Sequence, residues 1–383
     1  MDRRDFLRSV VAGGAAALVP LPAHAAAGYG NLLVLVELKG ANDGLNTVVP
    51  FADPAYASLR PRIGIPRDQV LQLSEQAGLH PSLEPLMASW RDRELAIVQS
   101  VGYPEPNLSH FRSIEIWETA SKSHETLTDG WLTRTFAAKP VPRASAADGV
   151  VVGSNDLGPL AGAGTRALCI ASTEQFQRQA KLATPTARAG NSALQHILRV
   201  ENDVVQAAAG ITGEYAFRTE FPRNAFGNSV RTAMQVVASR AGVPVVRVSL
   251  GGFDTHSNQP ATHQRLLREL ADGMVAIRSA LVELGRWEDT VVMTYSEFGR
   301  RPRENQSNGT DHGTASVQFV TGGRVRGGLY GEAPALARLD GNGNLPHTVD
   351  FRSLYATVLE RWWGVDAPRV LNGRFPVLEL LRT

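Results

Sequence analysis

The near-continuous apolar run Asn31-Leu-Leu-Val-Leu-Val-Glu37 constrains this chain more than any other stretch. A strand with one face in water alternates apolar and polar residues. This run has no polar position across its five central residues, so it has to be covered on both faces. Similar runs occur at residues 94–100, at 243–250 and from Val291 onward. Between them the apolar residues recur at helical spacing: Val230, Ala233, Met234 and Val237 within 228–242, then Leu266, Leu270, Met274, Ile277 and Leu281 within 262–284. Those stripes are core faces. Further helices are expected at 81–90, 109–117, 190–210 and 350–363. Strands alternating with helices predict an α/β fold, a doubly wound, mostly parallel sheet with helices on both faces.

In such sheets ligands bind beyond the carboxyl ends of the strands, so the residues just past each run matter most. After the first run comes Lys39-Gly-Ala-Asn-Asp-Gly44, where Asp43 is either a ligand for a metal or a ribose, or the anchor of an Asx-turn. Ser109 stands where a helix begins. It is therefore an N-cap, or a hydroxyl presented to an anion or a metal by the helix terminus. After 243–250 comes Gly251-Gly-Phe-Asp-Thr-His256, whose Asp254 and His256 can share one side of an extended segment. The run from Val291 opens into a polar loop with Glu297, Arg300, Arg301, Arg303 and the adjacent pair Asp311-His312.

Carboxylates, imidazoles and a hydroxyl form a mixed oxygen and nitrogen set that suits zinc, manganese or magnesium. Two such ions a few Å apart could clamp the attacking and leaving oxygens of phosphoryl or sulfuryl transfer. The arginines could meet an anionic substrate or form a solvated basic face. The 322–328 segment is glycine-rich but lacks the Lys-Ser/Thr of a phosphate loop, and reads as a turn. His263 is expected on the exposed side of its helix.

Composition excludes several classes. With 383 residues, 43% hydrophobic and 20% charged, the chain is an ordinary globular one. A formal charge of +2 gives no reason to expect nucleic acid as a partner. The single cysteine, Cys169, can form neither an intrachain disulfide nor a thiolate metal site, and is expected to be a small core hydrophobe. Residues 1–25 read as a leader: paired Arg3-Arg4, an apolar run from Val10 to Val19, and Ala23-His24-Ala25 as a cleavage site. The run is shorter than the roughly 20 residues that span a bilayer. It points to the twin-arginine export machinery, a periplasmic or secreted mature protein, and no stable membrane anchor after cleavage.

Five stretches together resemble the exported family called domain of unknown function 1501: Lys39-Gly-Ala-Asn-Asp-Gly-Leu-Asn46, Ser109-His-Phe-Arg112, Gly252-Phe-Asp-Thr-His256, Ser296-Glu-Phe-Gly-Arg300 and Thr310-Asp-His-Gly313. That family is similar to the alkaline phosphatase and sulfatase superfamily. The resemblance implies an alkaline-phosphatase-like single domain over 26–383; the irregular pattern of residues 121–186 marks them as a candidate inserted subregion. It implies Asp43, Asp254, His256, Asp311 and His312 as metal ligands, with zinc or manganese preferred over magnesium and one ion or two. It implies Ser109 as nucleophile, and Glu297 and Arg300 complete the expected catalytic set. The superfamily pattern has no settled counterpart for Glu297, and only His347 is left to offer as a third histidine ligand.

Two functions follow as expectations. One is a metal-dependent periplasmic hydrolase or transferase acting on a small anionic ester, a phosphate or sulfate. The other is a non-catalytic exported binding or assembly protein on the same fold.

Overall fold

The computed structural model describes residues 29–182, 192–239 and 241–382. The expected leader and the start of the 190–210 helix lie outside them.

The apolar runs become adjacent strands of one sheet. Strand β1 (Leu32–Lys39) lies at its centre, with β5 (Val245–Gly251) and β6 (Thr290–Tyr295) paired to it in parallel on either side. Along β1 the side chains alternate between two cores. Leu32, Val34, Val36 and Leu38 pack with Phe226, Val230, Leu270 and Met274. Leu33 and Leu35 point the other way, into a cluster with Ile116, Trp117, Trp131, Tyr355 and Trp362. Each of these buried aliphatic side chains stabilises the fold by roughly 1.5–3 kcal/mol, an upper bound because unfolded chains already bury some surface.

The other strands of the main sheet and of the hairpin beside it are β2 (Leu95–Gly102), β3 (Gly149–Val152), β4 (Ala167–Ile170), β7 (Arg300–Glu304), β8 (Thr310–His312), β9 (Ser316–Thr321), β10 (Gly328–Tyr330) and β11 (Val349–Asp350); three short strands at Val48–Val49, Leu71–Gln72 and Gly78–Leu79 form a separate small sheet. The main sheet has nine described strands in the order β10-β2-β9-β6-β1-β5-β3-β4, with β11 also on β2. Among these, β9 alone runs antiparallel to its neighbours. One face is covered by α3 (Ala225–Ala238) and α4 (Gln259–Glu283), the other by α1 (His110–Thr119), α2 (Trp131–Ala138) and the helical segment Arg352–Trp363. Helices on both faces of a mostly parallel sheet are the architecture the runs implied. No helix among the described residues is long and apolar enough to cross a membrane.

Local chemistry moves several boundaries. α3 starts three residues before its expected position because the Asn224 side chain caps it, accepting from the Gly227 N–H. The 81–90 helix opens as a 3₁₀ turn over Pro81–Leu86, with Pro85 inside it. Within 121–186, β3 and β4 extend the main sheet beyond β5. Cys169 is exposed on β4, an edge strand, rather than sitting in the core as expected. The polar stretch after β6 is more ordered than a loop: β7 and β8 form an antiparallel hairpin that pairs Arg300 with His312. That pairing brings residues 12 positions apart to one end of the ribbon, where the site is built.

Candidate metal centre

Strands β1, β5 and β6 are neighbours and parallel, so their carboxyl ends open on one edge of the sheet. Asp254 and His256 follow β5, Glu297 follows β6, and Gly40 follows β1. The hairpin delivers His312 to the same edge, and α1 delivers His110, which the sequence reading had passed over.

Four side-chain atoms converge there. The Nε2 atom of His312 lies 3.0 Å from Nε2 of His110 and 3.0 Å from Nε2 of His256. Asp254 Oδ1 lies 3.3 Å from His110 Nε2, 3.1 Å from His256 Nε2 and 3.4 Å from His312 Nε2. The far side of each ring faces an oxygen. His110 Nδ1 is 2.6 Å from Glu297 Oε1, His312 Nδ1 is 2.7 Å from the Leu108 carbonyl, and His256 Nδ1 is 3.5 Å from Asp311 Oδ1.

These contacts settle the tautomers of two rings. A carbonyl or an ionised carboxylate only accepts, so Nδ1 of His312 and of His110 must carry the hydrogen. In the neutral rings Nε2 is then a bare lone pair, and two bare lone pairs face each other at 3.0 Å. Such a contact is repulsive unless a cation lies between them. One proton can bridge one pair at a time, whereas a metal ion can serve every donor at once. A tetrahedral zinc with bonds of about 2.0–2.1 Å has ligand–ligand edges of roughly 3.3–3.4 Å, close to the separations here. The donor set therefore fits a divalent metal. His110, Asp254 and His312 present ligand atoms that all lie within 4.8 Å of one another. His256 stands beside them as a fourth donor.

Glu297 and Arg300, which support the cluster, are buried. The Glu297 carboxylate also accepts from the Gly40 N–H at 3.0 Å, and so cannot swing away from His110. Its hydrogen bond raises the His110 pKa above the ordinary imidazole value, while burial lowers that of His312. Asp254 is half-exposed. Its partial burial would raise its pKa, but the Arg300 hydrogen bond at 2.6 Å and the nearby positive charge bring it down to about 2. Gly40 has φ +110°, and a Cβ there would stand 2.5 Å from the Asp254 backbone nitrogen. Only glycine allows that approach.

Several expected residues take other roles. Arg300 is buried and divides its donors among the carbonyls of Ala41, Thr310, Gly40 and Phe253 and the Asp254 carboxylate. Its side chain is buried behind Asp254, so Arg300 is placed to position Asp254 and not to meet an ester directly. Asp43 is not brought to the cluster. Its two oxygens accept from Arg60 at 2.6 and 2.9 Å, from the Leu45 N–H at 3.2 Å and from Gln259, which fills all four lone-pair positions. It is the Asx-turn anchor of the short helix Gly44–Thr47. Asp311 stands behind His256 as a supporting carboxylate. Ser109 caps α1 by position, yet its hydroxyl makes no capping bond. His347 is partly buried and meets none of these groups, although a Cβ on Gly102 would touch it. His263 is buried, where an exposed position was expected, and pairs with the Asn42 side-chain oxygen at 2.9 Å.

Beside the cluster lies a cleft of about 500 Å³ lined in part by His110, Asp254, Glu297, Lys39 and Phe111. A cleft of this size is in the range of small-ligand sites.

Comparison with known proteins places the chain. The profile of the family described as protein of unknown function, DUF1501, matches residues 65–374, and the chain belongs to that family. No curated protein matches it. Among solved structures it is similar to a sulfatase from Pseudoalteromonas sp., with 11% identity over 92% of this chain and 72% of that one at a TM-score of 0.43. It is similar to a phosphonate monoester hydrolase of Agrobacterium radiobacter, with 9% identity over 92% and 79% at 0.40. The alkaline phosphatase of the Antarctic bacterium TAB5 gives 14% identity over 79% and 94% at 0.35.

Proposed function

We propose that this protein is a metal-dependent hydrolase or transferase acting on phosphate or sulfate esters, with a divalent ion held by His110, Asp254, His312 and His256. The observation that carries the reading is the convergence of imidazole Nε2 atoms and one carboxylate oxygen at 3.0–3.4 Å, with every Nδ1 facing an oxygen acceptor. Outer oxygen partners of this kind fix ring orientation and raise ligand basicity in metal sites. A divalent ion bound there would supply Lewis acidity toward an ester oxygen.

The chain's own residues divide the remaining work. Glu297 holds His110 in the tautomer that presents Nε2, and Arg300 holds Asp254 against the rings. Ser109 is the proposed nucleophile. It lies in the chain between Leu108, whose carbonyl orients His312, and His110 itself. The cleft beside the cluster would admit the ester. Zinc or manganese suits the nitrogen-rich set better than magnesium, which favours all-oxygen coordination. The leader expected at residues 1–25 would send the protein to the periplasm.

A second reading rests on the ligand count. Catalytic zinc sites keep an open position beside three protein ligands, whereas structural sites close with four. Full ligation by His256 would close the set and favour a binding or assembly protein. Elemental mass spectrometry on protein purified from its native compartment, with 4-nitrophenyl phosphate and sulfate as substrates, tests both. We expect bound zinc or manganese in the wild type and its loss in His110→Ala at unchanged circular dichroism. Metal-free protein after incubation with zinc, manganese and magnesium would overturn the proposal. Bound metal without turnover of any ester would select the second reading.

A further inference from the structure

The cleft beside the cluster has a second end that the metal chemistry does not use. α1 presents Phe111, Ile114 and Trp117 at helical spacing, but they are not one buried stripe. Trp117 is in the core, Ile114 is half-buried, and Phe111 is 89% exposed, more than any other large exposed hydrophobic side chain among the described residues. Phe111 directly follows His110, and with Ile114 it lines the cleft that His110, Asp254 and Glu297 also line. Gly251 and Gly252 add a stretch of wall without side chains, and a Cβ on Gly251 would meet open space.

The polar groups of the cleft are mostly committed. Glu37 is buried and accepts from Arg247 at 2.8 Å and from Ser249 at 2.6 Å. One Asp156 oxygen accepts from the Gly158 N–H. The Lys39 side chain is exposed and makes no hydrogen bond or close ion pair among the described residues, although its charge reaches Glu118.

We propose that this end of the cleft is a subsite for an aryl or similarly flat apolar group, so that the substrate class is a monoester joining a tetrahedral oxyanion to such a group, with Phe111 and Ile114 as its platform and Lys39 as a cation for the oxyanion. The inference rests on the functional reading above and deepens it. A solvent-exposed phenyl face gains from stacking and from apolar area removed from water, which converts to about tenfold in affinity. An exposed ammonium acts on the anion whatever the ester carries.

Calorimetric titration of the zinc-supplemented Ser109→Ala variant, which on the functional reading binds esters without cleaving them, with inorganic phosphate and with phenyl phosphate separates these parts, and inorganic sulfate with phenyl sulfate repeats the test for the other oxyanion. The aryl ester should bind about tenfold more tightly than its parent anion. Phe111→Ala, a change at an exposed position, should erase most of that ratio. Lys39→Gln should weaken anion and ester by the same factor. Equal affinity of ester and anion in the Ser109→Ala background, or an unchanged ratio when Phe111→Ala is added, would overturn the subsite while leaving the metal reading in place. Failure of all four ligands to bind would overturn both.

Discussion

Two aspartates follow neighbouring parallel strands through glycine-containing loops and end in opposite circumstances. Asp43, after β1, is fully buried, locked to Arg60 and saturated with donors. Asp254, after β5, is half-exposed, carries one arginine contact, and turns Oδ1 toward imidazole lone pairs. The histidines near them differ in the same sense. Burial lowers the pKa of His263 and His80, which lie near Asp43, to about 3 and about 4, so both are neutral structural groups. Near Asp254, the hydrogen bond that His110 donates to Glu297 raises the His110 pKa. A carboxylate with no lone pair left is part of the scaffold. One whose oxygen accepts a single hydrogen bond and still faces unprotonated ring nitrogens fits the part of a ligand.

The sharpest break of this contrast is Arg60→Ala. It would leave the Asp43 charge buried without its partner, and should cost about 3–5 kcal/mol in urea denaturation. A loss below about 1 kcal/mol would mean that Asp43 is not held by Arg60 and could belong with the metal ligands after all.

On the other side of the comparison, Glu297→Gln removes the carboxylate behind His110. Metal affinity should fall about 10- to 100-fold in a competition titration with a chelator, at nearly unchanged thermal stability of the metal-free protein. Equal affinity would remove Glu297 from the site.

Acid should separate the two regions as well. The folded pKa of His263, about 3, lies below the ordinary value of about 6.5, so the unfolded state binds more protons between these limits. The stability from this buried neutral ring is complete above about pH 6.5 and is lost as pH falls toward 3, by an amount on the order of a few kcal/mol. Asp43, whose pKa is lowered when Arg60 overcomes the effect of burial, adds a loss of the same sign at lower pH. Urea midpoints measured from pH 7 to 4 should fall in the wild type and fall less steeply in His263→Gln. Parallel curves would show that the ring does not titrate on unfolding.

The smallest expected effect is that of Ser109→Ala on stability. Capping serines typically contribute about 1 kcal/mol, but this hydroxyl makes no capping bond. A change of less than about 0.5 kcal/mol, together with loss of ester turnover, would fit a nucleophile; a full capping loss with turnover intact would make it an ordinary N-cap.

The sequence alone determined the sheet, because a run such as Leu32–Val36 can be buried on both sides only between two layers of helix. It also pointed to where candidate groups would stand, since Asp254, His256 and Glu297 lie beyond strand ends and His312 closes the hairpin strand β8. Side-chain alternation even placed Asp254 and His256 on one side of their segment. The tertiary structure decided which of the candidates meet. Asp43 and Asp254 have the same local grammar, and only Arg60 arriving from 17 residues away distinguishes them. His110 carried no local signal beyond following Ser109 at the start of a helix. Its role depends on Glu297, 187 residues on, and on a hairpin register that brings His312 to the same edge. A ligand set is a matter of distances between atoms remote in sequence, and only the packing of the helices and the hairpin against the sheet brings these atoms together.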